Sequence, residues 1–175
     1  MSRGLRLIPI VLLIWIVGGL AWRLIKPADT AIPSQMVERP VPELALPPAI
    51  GGKPGLTAAD LASGDAHLLN IFASWCVPCV SEVKVLQRLK ARGVSIDGIA
   101  IRDRPEEVAP FLARNGDPYD RIGDDPQSAV QISLGSSGVP ESFVIDGKGI
   151  VRYQHIGPIE PDDVPMIMQK LEQAR

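Results

Sequence analysis

Past residue 66 the chain changes hydrophobic period several times. His67 to Ala73 (HLLNIFA) is an apolar run of the length of a buried strand, broken only by Asn70. From Pro78 onward Val80, Val83, Leu86 and Leu89 recur at helical spacing until Gly93, a residue that suits a helix end. Val94 to Ile101 (VSIDGIAI) returns to alternation and predicts a second strand. Pro105, Glu106 and Glu107 open a second helix that runs to Arg114 and is closed by Asn115 and Gly116. A long connection follows. Glu141 to Asp146 and Ile150 to His155 predict two strands around the turn Asp146 to Gly149, a hairpin signal, and Pro161 to Gln173 predicts a closing helix. Strand, helix, strand, helix, hairpin, helix is the order of an α/β fold with a mixed central sheet flanked by helices.

The amino-terminal residues follow a different rule. Leu7 to Trp22 holds no charged residue, and the run extended to Ile25 spans roughly 28 Å at about 1.5 Å per helical residue, close to a bilayer core. Arg6 and Arg23 can reach head groups at its two ends, and Trp22 stands where an interfacial aromatic belongs. Residues 1–26 are therefore expected to form one transmembrane helix in the inner (cytoplasmic) membrane. The alternative is a removed signal peptide, since Gly19 and Ala21 provide small residues for cleavage after Ala21. With no second apolar span, the rest of the chain is expected outside the cytoplasm. Residues 27–54 carry seven of the seventeen prolines, which deny the segment long helices and interior strands. Residues 27–40 read as a linker. The alternation from Val41 to Leu46 predicts an edge strand that begins the folded domain, residues 41–175.

Composition sharpens this picture in two places. The 175 residues are 46% apolar and 22% charged, which excludes a disordered or collagen-like chain. Residues 1–26 hold Arg3, Arg6, Arg23 and Lys26 and no acid, so the remainder has 14 basic against 20 acidic residues, a net charge of −6. Such a surface repels phosphate backbones, and no nucleic-acid partner is expected. Two cysteines make neither a disulfide-rich scaffold nor a four-cysteine zinc site.

Those two cysteines carry the candidate chemistry. Cys76, Val77, Pro78 and Cys79 form a C-x-x-C where the first predicted strand gives way to a helix. Two intervening residues allow a small disulfide loop without breaking the helix. The first sulfur faces unpaired N–H groups and the positive end of the helix dipole, which favour its thiolate. Cys76 is thus expected to be the more exposed, attacking thiol and Cys79 the resolving one. Pro78 fits a first helical turn because its missing N–H costs nothing there. A structural disulfide, a zinc or copper site drawing on His67 or His155, and a pair of inert thiols are the competing readings. The short loop, the absence of finger-like spacing and the oxidising compartment weigh against each in turn. His67 and His155 read as structural, and Tyr153 as hairpin packing. No metal or cofactor is expected.

Residues 70–79, NIFASWCVPC, followed by the helix and later by Gly138, Val139 and Pro140 before a strand, resemble the thioredoxin fold. With NGDPYDRIGDD, GVPESFVIDGKGIVRYQHIG and the single amino-terminal apolar helix, residues 40 to 172 resemble more closely the membrane-anchored thiol:disulfide interchange proteins of cytochrome c maturation, the CcmG/DsbE family. The resemblance implies that Trp75 shields the cysteine pair. It implies that Pro140 is a cis-proline facing the disulfide, bringing the Val139 backbone within reach of a bound peptide; the alternative is an ordinary trans proline at a strand entry. Glu82 and Glu141 match acidic positions that tune the redox pair in that family, the alternative being solvated surface acids. Two departures from ordinary thioredoxins stand out: Asn70 replaces a buried aspartate, and Lys84 a helix-kinking proline.

The function implied is a dedicated reductant outside the cytoplasm. Cys76 attacks the haem-site disulfide of apocytochrome c or of a C-x-x-C maturation protein, and a transmembrane thiol reductase returns the electrons. A general periplasmic reductase of the same fold is the alternative, and a copper-delivery module the alternative from another class, although such modules carry C-x-x-x-C with a distal histidine. A thiol peroxidase lacks its lone cysteine here.

Overall fold

The computed structural model describes residues 8–25 and 36–175. Arg3, Arg6, Lys26 and residues 27–35 of the expected linker lie outside the described residues. Contacts divide the chain into two units, Met1–Pro33 and Ser34–Arg175. In the first, helix α1 covers Ile8–Ile25 and leaves Leu12, Trp15 and Leu20 exposed. Its 18 residues reach about 27 Å, short of the ~30 Å of a hydrocarbon core, and among the described residues no helix is long and apolar enough to cross a membrane.

The second unit opens with a two-stranded antiparallel sheet, β1 (Ala45–Leu46) and β2 (Leu56–Thr57), and the short helix α2 (Ala58–Leu61), whose N-cap Thr57 forms a capping box with Asp60. Then come β3 (His67–Phe72), α3 (Val77–Ala91), β4 (Ser95–Ile101), α4 (Pro105–Asn115), β5 (Arg121–Asp125) and α5 (Ala129–Ser133). The hairpin β6 (Glu141–Ile145) and β7 (Val151–Ile156) and, after a 3₁₀ turn at Pro161–Asp163, α6 (Val164–Gln173) complete it. One sheet of order β5-β4-β3-β6-β7 runs through the unit, with β3, β4 and β5 parallel and β6 and β7 antiparallel to their neighbours.

Position in the sheet explains the sequence pattern. β3 is central and buried at all six residues, which is why it reads as a continuous apolar run rather than an alternation. α3 extends unbroken through Lys84 to Ala91 and is followed, after the cap residue Arg92, by Gly93, whose φ of +85° would strain other residues. Phe72 stacks between Phe111 (ring centroids 5.9 Å) and Tyr119 (4.7 Å). Gly98 on β4 makes room for them: a Cβ there would lie 3.0 Å from both the Phe72 and Tyr119 rings. At the opposite end of β3 from the cysteines, buried His67 sits 2.9 Å from Asp97 and 3.0 Å from the Ser63 hydroxyl, a structural arrangement.

Three stretches differ from the sequence reading. The connection after α4 contains β5 and α5. β5 (RIGDD) holds a single large apolar residue because it is an edge strand, and α5 is too short to show a helical period. Strand pairing near the start covers only Ala45–Leu46 of the expected Val41–Leu46, because opposite Ala45 the partner β2 gives way to α2 at Ala58, and Pro42 offers no N–H further back. Residues 36–40, expected in the linker, join the fold: the Glu38 amide donates to Val151 O at 2.8 Å, and Pro40 bridges Ile150.

Candidate functional site

The polypeptide leaves the carboxyl end of the central strand, turns through Ser74 and Trp75, and enters α3. The edge above the strand ends of an open α/β sheet is where ligands are met. Cys76 is the N-cap of α3, in extended conformation, and Pro78 occupies the first turn, where its missing N–H costs no bond. Cys76 and Cys79 are joined in a disulfide, with Cα atoms 5.3 Å apart. The Cys79 amide donates to Cys76 Sγ at 3.2 Å, so one of the helix's free N–H groups is directed at the first sulfur. The expected difference in exposure is absent: in this oxidised form Cys76 is 3% and Cys79 2% exposed. The accessible side chains are their neighbours, Trp75 at 53% and Val77 at 81%.

Trp75 is fixed from below. Its Nε1 donates to the carbonyl of Arg102 at 3.1 Å, while the Asp103 carboxylate accepts from the Ser74 amide and, at 2.7 Å, from its hydroxyl. The Val139–Pro140 peptide bond is cis. Glu141, the next residue and the first of β6, is buried at 1% exposure and faces back along the loop that precedes the proline. Its carboxylate accepts from the Ser136 hydroxyl (2.6 Å), the Ser137 backbone amide (2.9 Å) and Gln154 Nε2. It is a brace for the cis-proline loop rather than a solvated acid.

Glu82 is also buried, at 1% exposure, on the face of α3 that carries Cys79 one turn earlier. Its carboxylate accepts from the Ile159 amide at 3.0 Å and from Asn70 Nδ2 at 3.1 Å. Asn70 donates as well to Ser142 Oγ (3.0 Å) and accepts from the Tyr119 hydroxyl (2.7 Å). Burial raises the Glu82 carboxyl to about 7, against the pull of those two hydrogen bonds. Burial, and the Glu82 charge after it, push the Tyr119 phenol well above its ordinary value. Tyr119 is the residue sequence reasoning missed. It lies in the long connection after α4, within the stretch NGDPYDRIGDD that carries part of the family resemblance, but its sequence neighbours give no sign of a role at the site.

The Ile71–Glu141 pairing puts the loop of Trp75 and Cys76 and the loop of Val139 and Pro140 at adjacent strand ends, and Glu82 follows Cys79 by one turn of α3. His67 lies at the far end of the sheet, and His155 is occupied by Pro158 O at 3.3 Å and by Asp163. Among the described residues no three metal-ligating side chains cluster. Fold and site together define a thioredoxin-like protein of the dithiol–disulfide class.

Comparison with known proteins agrees. The redoxin family model matches residues 36–171. The thiol:disulfide interchange protein HelX of Rhodobacter capsulatus is 35% identical over 162 residues, 93% of this chain and 92% of that protein. DsbE of Escherichia coli is 33% identical over 165 residues, 92% of this chain and 89% of its own. Among solved structures, a thioredoxin-family thiol:disulfide interchange protein from Chlorobium tepidum superposes with a TM-score of 0.58 at 29% identity, covering 77% of this chain and 94% of that one. The chain belongs to the redoxin family and, within it, to the thiol:disulfide interchange proteins of the DsbE/HelX group, the CcmG family of the sequence resemblance. It is a thiol:disulfide oxidoreductase.

Proposed function

We propose that this oxidoreductase works as a reductant in the periplasm, held at the inner membrane by residues 1–26 and spaced from it by the proline-rich segment that follows. Its substrate is the haem-site C-x-x-C-H disulfide of apocytochrome c, or a maturation protein carrying such a disulfide. The observation that carries this reading is the Cys76–Cys79 disulfide at the amino end of α3, with a backbone N–H on the first sulfur. In the reduced form the Cys76 thiolate attacks a sulfur of the partner's disulfide. The S–S bond breaks, the partner keeps one thiolate, and a mixed disulfide joins it to Cys76. Cys79, having given up its proton, attacks Cys76 Sγ and expels the second partner thiolate. Two electrons pass to the partner, and the chain is left oxidised. Glu82, poised near neutrality, is the proton acceptor for Cys79, taking the part that the non-titrating Asn70 cannot play. Val139 offers backbone hydrogen bonds to the extended partner, Pro140 holds that backbone against the sulfurs, and Trp75 covers their outer side. A transmembrane thiol reductase then restores the dithiol.

Trapping tests the partner. Cys79→Ser leaves the first attack intact and removes the release step, so it accumulates a mixed disulfide through Cys76. Mass spectrometry of the trapped species is expected to show a C-x-x-C-H cytochrome or a maturation protein. A broad spread of unrelated periplasmic proteins would instead establish a general reductase.

A further inference from the structure

Arg102 and Ser128 both have left-handed backbones, with φ of 47° and 57°, a region that neither side chain enters without cost. Each follows the carboxyl end of a parallel strand, β4 or β5, and the two are bonded to one another: Arg102 Nε donates to the fully buried Ser128 hydroxyl at 3.0 Å. Asp125 holds the corner. Its carbonyl accepts from the Arg102 amide at 3.3 Å and the Ser128 amide at 3.0 Å, and its carboxylate caps α5 at the amides of Ala129 (2.8 Å) and Gln131 (3.0 Å). This corner sets the direction of one carbonyl group, that of Arg102, which takes the indole N–H of Trp75.

Trp75 is half exposed, and with Ser74 and the α4 residues Glu106, Glu107 and Pro110 it lines an open cavity of about 400 Å³. On that side the ring faces the open cavity, and the hydrogen bond to the Arg102 carbonyl ties its Nε1 to the fold. A side chain that must meet a partner in one orientation gains from being ordered beforehand.

We propose that Arg102, anchored on Ser128, is a positioning residue for disulfide exchange: it holds the Trp75 indole as a rigid wall of the surface on which a protein disulfide docks. The proposal rests on the reading of Trp75 as part of the docking surface. The chain contains three tryptophans, so Trp15→Phe and Trp22→Phe in the full chain leave Trp75 as the only indole. In that background Arg102→Ala and, separately, Ser128→Ala are expected to raise acrylamide quenching of Trp75 about twofold. The rate of reduction of an oxidised C-x-x-C-H peptide should fall about fivefold to tenfold relative to the rate with oxidised glutathione, because a small disulfide needs no wall, and the loss should appear in KM. In a Trp75→Phe background Arg102→Ala should add little further loss, since the bond it supports is already gone. Unchanged quenching, an equal fall with both disulfides, or full additivity with Trp75→Phe overturns the proposal. If the parent protein reduces neither disulfide, the proposed function fails, and the quenching result alone decides the positioning.

Discussion

Cys76→Ser is expected to lose turnover in disulfide reduction by about a thousandfold or more, the scale on which essential nucleophiles are missed. The thiolate is the attacking species, and at the N-cap of α3 it is favoured by the helix dipole and by the Cys79 amide 3.2 Å from its sulfur. A serine hydroxyl at the same place accepts the same N–H but neither ionises near neutral pH nor forms a bond to sulfur. Cys79→Ser loses turnover too, yet it retains one fast event, formation of the mixed disulfide. The two variants are therefore separated by a single-turnover assay with a labelled peptide disulfide: label on Cys79→Ser, none on Cys76→Ser. The reverse pattern would make Cys79 the nucleophile and remove the reason for the pair's place at the helix start.

Glu82 governs the second large effect, the pH dependence of stability. Its carboxyl ionises near 4.5 in the unfolded chain and is raised to about 7 in the fold. Between those values the folded state holds a proton that the unfolded state has lost, so stability must fall as pH rises. The contribution is complete below pH 4.5 and gone once pH passes 7. A shift of this size corresponds to about 3 kcal/mol. Asp124, half-buried and also raised first by burial, contributes with the same sign. Urea denaturation of the oxidised protein from pH 4.5 to 8 is expected to show this decline, and Glu82→Gln to abolish most of it. The variant also carries a penalty of its own: both carboxylate oxygens accept hydrogen bonds, so the glutamine N–H₂ must face either Asn70 Nδ2 or the Ile159 amide, each a donor. The difference between the two pH profiles isolates Glu82, and parallel profiles would refute its raised carboxyl.

Much of the fold was legible in the sequence because its central elements are strongly periodic. β3, α3, β4, α4 and the β6–β7 hairpin bury continuous or regularly spaced apolar faces, and their expected bounds agree with the observed ones to within a residue or two. β5 and α5 were not legible. An edge strand paired on one side needs few apolar residues, and a five-residue helix does not complete a hydrophobic repeat. The cysteine pair showed itself through spacing and place, but its surroundings did not. Nothing local tells that Glu141 turns toward Ser136 and Ser137, or that Asn70 links Glu82 to Tyr119, 49 residues beyond it. Those contacts are made by chain crossings, and a single sequence records crossings poorly. The burial of Cys76 was missed for a related reason: the helix-start rule concerns its backbone, whereas exposure depends on what other loops lay over it.

The direction of electron flow is tested most directly by equilibrating the reduced full-length protein with an oxidised C-x-x-C-H peptide, then with glutathione buffers, and quantifying the Cys76–Cys79 dithiol by mass after acid quench. The peptide should emerge as the dithiol while the 76–79 disulfide closes, with a potential more reducing than the glutathione couple. A peptide that stays oxidised, with the protein's potential near the roughly −120 mV of a strong periplasmic oxidant, would contradict the assignment as a reductant.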